Sequence, residues 1–156
     1  MEIQLIRASV EDAETIWKMQ IEAFTELLNR YQDFETNPAN EPLENVIWRL
    51  QQSTTYFYFI QSDGQNVGAV RVVDTSDNNE RKRISPIFVL PEFRNLGIAQ
   101  KAIAKAEEIH GQANWRLDTI LQEKGNCHLY EKMGYVQTGE TKVINDNMTL
   151  ISYQKN

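Results

Sequence analysis

The sequence predicts a single mixed α/β domain, and three observations carry that expectation. Its 156 residues suit one compact core. Segments that alternate apolar and polar side chains, the mark of half-buried strands, are interspersed with segments whose apolar residues recur at helical spacing. No linker rich in Pro, Gly or Ser, no low-complexity segment and no internal repeat interrupts the chain, so one domain is expected over residues 1–156.

Each element can be justified in order. Residues 2–7, EIQLIR, alternate and read as a short strand. Ser9 followed by Asp12 has the form of a capping box, in which an N-cap residue and an acidic third residue satisfy each other's backbone N–H groups. The helix that follows carries Ala13, Trp17, Ile21, Phe24 and Leu28 along one face. YQDFETNPANEP breaks it with two prolines and two asparagines, and LENVIWRLQQ reads as a second, short helix. Trp17, Phe24 and Trp48 stand at periodic positions and are expected in the core.

YFYFIQ and VGAVRVVD are rich in strand formers and enclose Asp63-Gly64, which predicts an antiparallel hairpin. After the polar loop DTSDNNERK, RISPIFVLP reads as another strand. Pro86 inside it cannot donate to a ladder, so an edge or a bulge is expected there. Ile98, Ala99, Ala102, Ile103, Ala106 and Ile109 make a helical stripe that stops at His110-Gly111. NWRLDTIL is a further strand, NCHLYEKMG a short helix closed by a left-handed Gly134, and YVQTGE and MTLISYQK complete the β content.

Composition narrows the function classes. Apolar residues make up 41% of the chain and charged residues 24%, ordinary values for a globular protein. The net charge of −6 argues against nucleic acid as a partner, since phosphate contacts need clustered Lys and Arg. It aids solubility and leaves room for a cationic amine. Cys127 is the only cysteine, which excludes an intramolecular disulfide and fits a reducing compartment. With two histidines it is a poor supply for zinc, and no metal is expected. MEIQLIRASVEDAE lacks a basic region followed by an apolar run, and no segment approaches the length of a membrane span. The expectation is a cytoplasmic protein with no membrane partner.

LPEFRNLGIAQKA, residues 90–102, joins a strand to a helix and raises the chemical question. At a helix N-terminus several N–H groups lack partners and the dipole is positive, which suits a pyrophosphate. Gly97 lets a ligand approach the backbone, Ala99 does not obstruct it, and Arg94 adds charge. Spacing alone does not choose between a phosphate cradle and a simple turn beside a surface arginine. Neither G-x-x-x-x-G-K-[ST] nor G-x-G-x-x-G occurs, which argues against an ATPase or a Rossmann dehydrogenase.

IFVLPEFRNLGIAQKAI, followed downstream by NCHLYEKMGY, closely resembles the Gcn5-related N-acetyltransferase (GNAT) superfamily. The family pattern is a strand Φ-x-V-x-P, then [QR]-x-x-G-x-[GA] opening a helix, then L-Y-x-K-x-G-[FY]. Arg94, Gly97 and Ala99 match the first motif; Leu129, Tyr130, Lys132, Gly134 and Tyr135 match the second. The order of elements matches too, so the resemblance covers almost the whole chain.

The resemblance implies a central, mostly antiparallel twisted sheet with two splayed parallel strands, here RISPIFVL and NWRLDTIL, and helices on both faces. It implies acetyl-CoA as co-substrate in the gap between those strands. Backbone groups of Ile87, Phe88 and Val89 would hold the acetyl carbonyl and pantetheine. N–H groups of Arg94, Asn95, Leu96, Gly97, Ile98 and Ala99 would hold the pyrophosphate. An amine would attack the thioester directly, and Tyr130 would be the general acid toward the CoA thiolate. A covalent route through Cys127 finds no supporting His-Asp pair, so that residue reads as a small buried hydrophobe.

Two departures matter. Glu123 stands where many relatives carry an asparagine that contacts pantetheine, and Asn126 is expected to substitute for it. RKRISP offers no carboxylate as general base, which leaves Glu22, Asp33, Asp118 or bulk water. The acceptor is expected to be a small-molecule or peptide amine, met by the loop NRYQDFETNPANEP through Tyr31 and Asp33. Phe34, Glu35 and Glu41 add aromatic and acidic character suited to a cation. The family also admits a homodimer. The alternative is a module on the same fold that binds acyl-CoA without turnover.

Overall fold

In the computed structural model, which describes residues 2–156, strand β1 (Ile3–Arg7) leads through a short turn into helix α1 (Ala13–Tyr31). There follow α2 (Leu43–Gln51), β2 (Thr55–Ser62), β3 (Gln65–Val73), β4 (Lys82–Val89), α3 (Ile98–His110) and β5 (Trp115–Ile120). The chain ends with α4 (Lys124–Lys132), β6 (Val136–Asn145) and β7 (Met148–Lys155). The strands form one seven-stranded sheet in the order β1-β2-β3-β4-β5-β7-β6. Every neighbouring pair is antiparallel except β4 and β5, which run parallel. Mixed α/β architecture with one parallel pair is as expected.

Helices cover both faces of the sheet. On one, Ile98, Ala102, Ile103 and Ala106 of α3 pack with Tyr58, Ile60, Val70 and Trp115. On the other, Ile16, Met19 and Ala23 of α1 and Val46 of α2 pack with Phe57, Phe59, Ala69 and Phe88. The strand alternation expected from the sequence thus serves two cores at once.

Local rules account for most element ends. The Ser9 N–H donates to Asp12 Oδ2 at 2.9 Å, the capping box expected before α1. The hairpin turn has Asp63 at φ 51° and Gly64 at φ 80°, the pair of left-handed residues that matches the twist of its strands. The buried face of α1 is rotated from the expected one, centring on Ile16, Met19, Gln20 and Ala23. Trp17 lies at its rim because its indole N–H must find an acceptor, the Glu41 carbonyl at 2.8 Å. Trp48 is 62% exposed and not core, since a helix as short as α2 buries a narrow stripe centred on Val46.

The parallel pair is where the sheet departs from regularity. Pairing of β3 with β4 passes from Val72↔Ile84 to Val70↔Ile87, so Ser85 and Pro86 share one partner, Arg71. This is the bulge Pro86 implied; β4 is central, so the edge alternative does not hold. The Ser85–Pro86 peptide is cis. On its other side β4 pairs with β5 only at Lys82↔Trp115 and Arg83↔Arg116. Every residue of β5 instead pairs with β7, and the strands diverge beyond Arg83. No helix among the described residues is long and apolar enough to cross a membrane.

These contacts set two expected outcomes. A Cβ on Gly68 would stand 2.1 Å from the Phe88 carbonyl oxygen and 3.0 Å from the Val89 Cα, both backbone atoms in the middle of the sheet. Gly68→Ala is therefore expected to lower stability by about 1–3 kcal/mol in urea denaturation; an unchanged midpoint would show that β3 and β4 can part freely. Secondly, the end of α3 is tied to the sheet through His110, whose ring nitrogens lie 2.8 Å from Asp74 Oδ2 and 2.8 Å from the Tyr58 hydroxyl. Burial alone would raise the Asp74 pKa, but hydrogen bonds from His110 and from the Ser76 N–H hold it below its ordinary value. A depressed carboxylate pKa stabilises the fold above the unfolded value, about 3.9, and the gain fades as pH falls through the folded one. The stability gap between wild type and Asp74→Asn should hold at pH ~5 and shrink toward pH ~3. A gap that widened on acidification would contradict this pairing.

Candidate active site

A cavity of about 500 Å³ opens where β4 and β5 part. Its walls are β4, the loop and first turn of α3, α4, and the last turns of α1. Of the residues expected at a cofactor site, Ile87, Phe88, Val89, Arg94, Asn95, Gly97, Ile98, Ala99, Asn126 and Tyr130 all line it. Leu96 does not; its side chain is 54% exposed on the outer side of the loop.

The backbone of β4 offers itself selectively. Leu90 N–H donates to the Val67 carbonyl at 2.8 Å, so Leu90 faces β3. Alternate residues in a strand turn their polar groups to the same side, so Phe88 faces β3 as well, and Ile87 and Val89 face the gap. The expectation that all three present free backbone groups is corrected at Phe88, which contributes its ring, set edge-on to Phe24 at 5.6 Å. The Val89 carbonyl already accepts from Arg94 Nε at 3.1 Å. The backbone of Ile87 and the N–H of Val89 are what the open edge presents.

The loop before α3 is shaped by two left-handed residues, Asn95 at φ 65° and Gly97 at φ 76°. Such a bend makes successive N–H groups converge into a concave anion nest. The first intrahelical bond runs from Lys101 N–H to the Gly97 carbonyl. No side chain caps the helix, so the N–H groups of Ile98, Ala99 and Gln100 have no helical partner. A Cβ on Gly97 would meet nothing within 4 Å, so its backbone conformation, and not space, is what demands glycine.

Arg94 differs from expectation. Its Nη2 donates to the Ala23 carbonyl at 2.6 Å, and Nη1 lies 3.4 Å from Glu26 Oε2, while its own N–H turns to the Pro91 carbonyl. It pins α1 to the end of β4 and is not a free charge awaiting phosphate.

Tyr130 is buried against Tyr135 and Tyr153, ring centroids 6.2 and 6.1 Å away. Burial pushes its pKa up to about 12, with Cys127 a smaller contribution in the same direction. Its hydroxyl has no protein hydrogen bond among the described residues, so a protonated phenol faces the cavity without a partner. Asn126, one helical turn earlier, lies on the same wall. Cys127 is buried, its Sγ 3.8 Å from the Ile120 carbonyl, as expected of a packed thiol.

Glu123, the position without the usual asparagine, closes the cavity's rim. It accepts from the Tyr31 hydroxyl at 2.5 Å and from Arg30 Nη1 at 2.9 Å. The two expected acceptor contacts are accordingly corrected. Tyr31 is buried and committed to Glu123, and its carbonyl accepts from Asn145 Nδ2 at 2.8 Å. Asp33 is buried and accepts from the Thr36 hydroxyl and from the N–H groups of Thr36 and Glu35 at 2.9 and 3.2 Å. A buried loop must satisfy its own polar groups, and these residues do so.

None of the carboxylates considered as general base lines the cavity. Glu22 is exposed, Asp33 is internal, and Asp118 accepts from the Ser152 hydroxyl at 2.6 Å. The carboxylates that do line it, Glu26 and Glu123, both pair with Arg30. The spacing of Glu26 and Arg30 was a visible signal for part of this bridge; Glu123, far along the chain, was not. Among the described residues no group of three or more His, Cys, Asp or Glu side chains is placed to hold a metal.

Comparisons with known proteins bear on the family and the fold. The profile of the acetyltransferase (GNAT) family matches residues 15–135. Among solved structures, PaiA N-acetyltransferase from Thermoplasma acidophilum, in complex with coenzyme A, is 18% identical with a TM-score of 0.73, covering 100% of both chains. Spermidine N-acetyltransferase from Vibrio cholerae, in complex with CoA and spermine, is 16% identical with a TM-score of 0.75, covering 97% of this chain and 93% of that one. An acetyltransferase from Thermus thermophilus is 11% identical with a TM-score of 0.72, covering 98% and 96%. At these identities the likeness shows a shared fold. No curated protein sequence matches the chain.

Because only the backbone of Gly97 is special, Gly97→Ala should remain folded and lose about 1–2 kcal/mol in urea denaturation. A variant as stable as wild type would show that the loop does not need a left-handed residue there.

Proposed function

The chain belongs to the acetyltransferase (GNAT) family, and we propose that it moves an acetyl group from acetyl-CoA directly to a primary amine. The observation that carries this reading is the cavity itself. It gathers an unpaired strand edge, an uncapped helix N-terminus and an unpartnered phenol around one space. CoA is bound in the PaiA and spermidine acetyltransferase structures that share the fold. Membership of an acetyltransferase family sets the binding-only alternative aside.

The pyrophosphate would lie on the Ile98, Ala99 and Gln100 N–H groups within the nest at Asn95 and Gly97. The pantetheine would take the place of the missing β5 partner along Ile87 and Val89, with Asn126 on the facing wall. The acetyl carbonyl would accept a backbone N–H from this edge, which polarises it toward attack. The neutral amine forms the new C–N bond, the C–S bond breaks, and the nitrogen gives up its proton. The nitrogen's proton passes to water, since the lining carboxylates are held by Arg30.

A cysteine thiol has a pKa near 8.5, and a phenol at about 12 is a weaker acid than an alkyl thiol such as that of CoA. Its contribution is chiefly a hydrogen bond to sulfur as negative charge develops there. Tyr130→Phe should therefore lower kcat about 100-fold or more and change the acetyl-CoA KM only slightly. Undiminished kcat in steady-state thiol release would remove Tyr130 from the reaction. The lone buried Cys127 accords with a reducing compartment such as the cytoplasm.

A further inference from the structure

The sequence suggested an acidic acceptor loop suited to a cationic amine, yet a second cavity beside that loop sets two arginines, Arg49 and Arg71, against the loop's Glu35 and Glu41. It has a volume of about 310 Å³ and lies on the face of the sheet covered by α1 and α2. The loop from Glu35 to Pro42 forms one side, and Arg49 of α2, Arg71 of β3 and Ser85-Pro86 of β4 form the other. We propose that the amine acceptor carries a carboxylate, and that Arg71, backed by Arg49, binds it in this cavity. The inference rests on the acetyltransferase reading and names the acceptor class within it.

Continuity with the acetyl site comes from β4. Pro86 lines the second cavity and Ile87 lines the first. These are consecutive residues, about 3.8 Å apart at their Cα atoms, so adjacent residues of β4 line the two cavities. On the acetyl-CoA reading, a ligand anchored beside Pro86 would have to reach past one residue of β4 to the thioester placed at Ile87.

Arg71 is the anomaly that points to an anion. In β3 it shares a face with Ala69, which is wholly buried against α1 and α2, so an arginine occupies an inward position. Its Nε donates to the Ser85 carbonyl at 2.5 Å, which uses one of its five N–H groups. No carboxylate forms an ion pair with it among the described residues. Arg49, by contrast, is paired with Glu41, whose other oxygen accepts from Gln20 Nε2 at 3.0 Å. Burial first, then the proximity of Arg49 and Arg83, pushes the Arg71 pKa down to about 10, with Glu41 opposing. It remains charged at neutral pH, and a bound anion would relieve both effects.

A guanidinium with free N–H groups in a half-buried polar cavity is matched by a carboxylate, which it can hold through two parallel hydrogen bonds. A polyamine would place further positive charge against Arg71. With the two cavities lined by adjacent residues of β4, an amino acid or similarly small amino carboxylate is the fitting class.

The test uses matched acceptors: the common amino acids, their amides, the corresponding simple amines, and spermidine. Thiol release is followed with acetyl-CoA, and binding to the CoA-saturated protein is measured by calorimetry. The best amino acid should exceed its amide at least 10-fold in kcat/KM. Arg71→Met should erase that preference through KM while leaving CoA affinity unchanged, and Arg71→Lys, which keeps the charge but not the fork, should fall between. Equal or better turnover of amides, simple amines or spermidine would overturn the proposal, as would a preference that survives Arg71→Met. If no acceptor is acetylated, binding decides separately. Amino acid binding abolished by Arg71→Met upholds the carboxylate site while the transfer reading fails, and no binding overturns the site too. Circular dichroism verifies folding, and were Arg71→Met unfolded, Arg71→Lys alone would carry the same comparison.

Discussion

Beyond Arg83 two adjacent parallel strands stop pairing in the middle of a sheet, and the rest of the molecule is arranged around that gap. Interior backbone groups without partners are costly, so an unpaired central edge persists only where something else can occupy it. The gap is held open from both sides. On β4 the bulge and Pro86, which has no N–H to donate, end the ladder; on β5 every residue is engaged by β7. A chain of amides such as pantetheine can then take the part of a missing strand, in the manner of β-augmentation.

The walls around the gap are secured by charges that serve packing and not ligand. Arg94 holds α1 to the end of β4 through the Ala23 and Val89 carbonyls. Arg30, Glu123 and Tyr31 join α1 to the start of α4, and buried Glu107 is neutralised by Lys155 at 3.0 Å and accepts from the Tyr135 hydroxyl at 3.0 Å. What remains for a ligand is therefore largely backbone: the Ile87 and Val89 edge, the nest at Asn95 and Gly97, and the first N–H groups of α3. Recognition of a phosphate and an amide chain needs little else.

Much of this was legible in the residues. Element order, the hairpin at Asp63-Gly64, the bulge at Pro86 and the loop at Gly97 each rest on a local rule, and local rules can be read from sequence. The two motifs around Arg94 and Tyr130 pointed to the family and to most of the cavity's lining. What stayed hidden depended on distant partners or on phase. The bulge places Ser85 and Pro86 opposite one residue, which resets the strand's parity and turns Phe88 away from the gap. Arg94 is engaged by a carbonyl of α1, and Tyr31 by Glu123 of α4, contacts no spacing announces. Trp48 shows that periodicity in a two-turn helix does not say which apolar residue is buried. Arg71 did leave a signal, a lone charge inside the apolar run VGAVRVV, which the surrounding strand pattern made easy to pass over.

The most direct test of the open edge as the CoA site is residue-resolved amide hydrogen exchange with and without CoA. Protection should rise at the Ile87 and Val89 amides and at Ile98, Ala99 and Gln100, while Phe88 and Leu90, already bonded to β3, stay unchanged. Saturating CoA that left Ile87 and Val89 exchanging as before would contradict a cofactor lying along this strand.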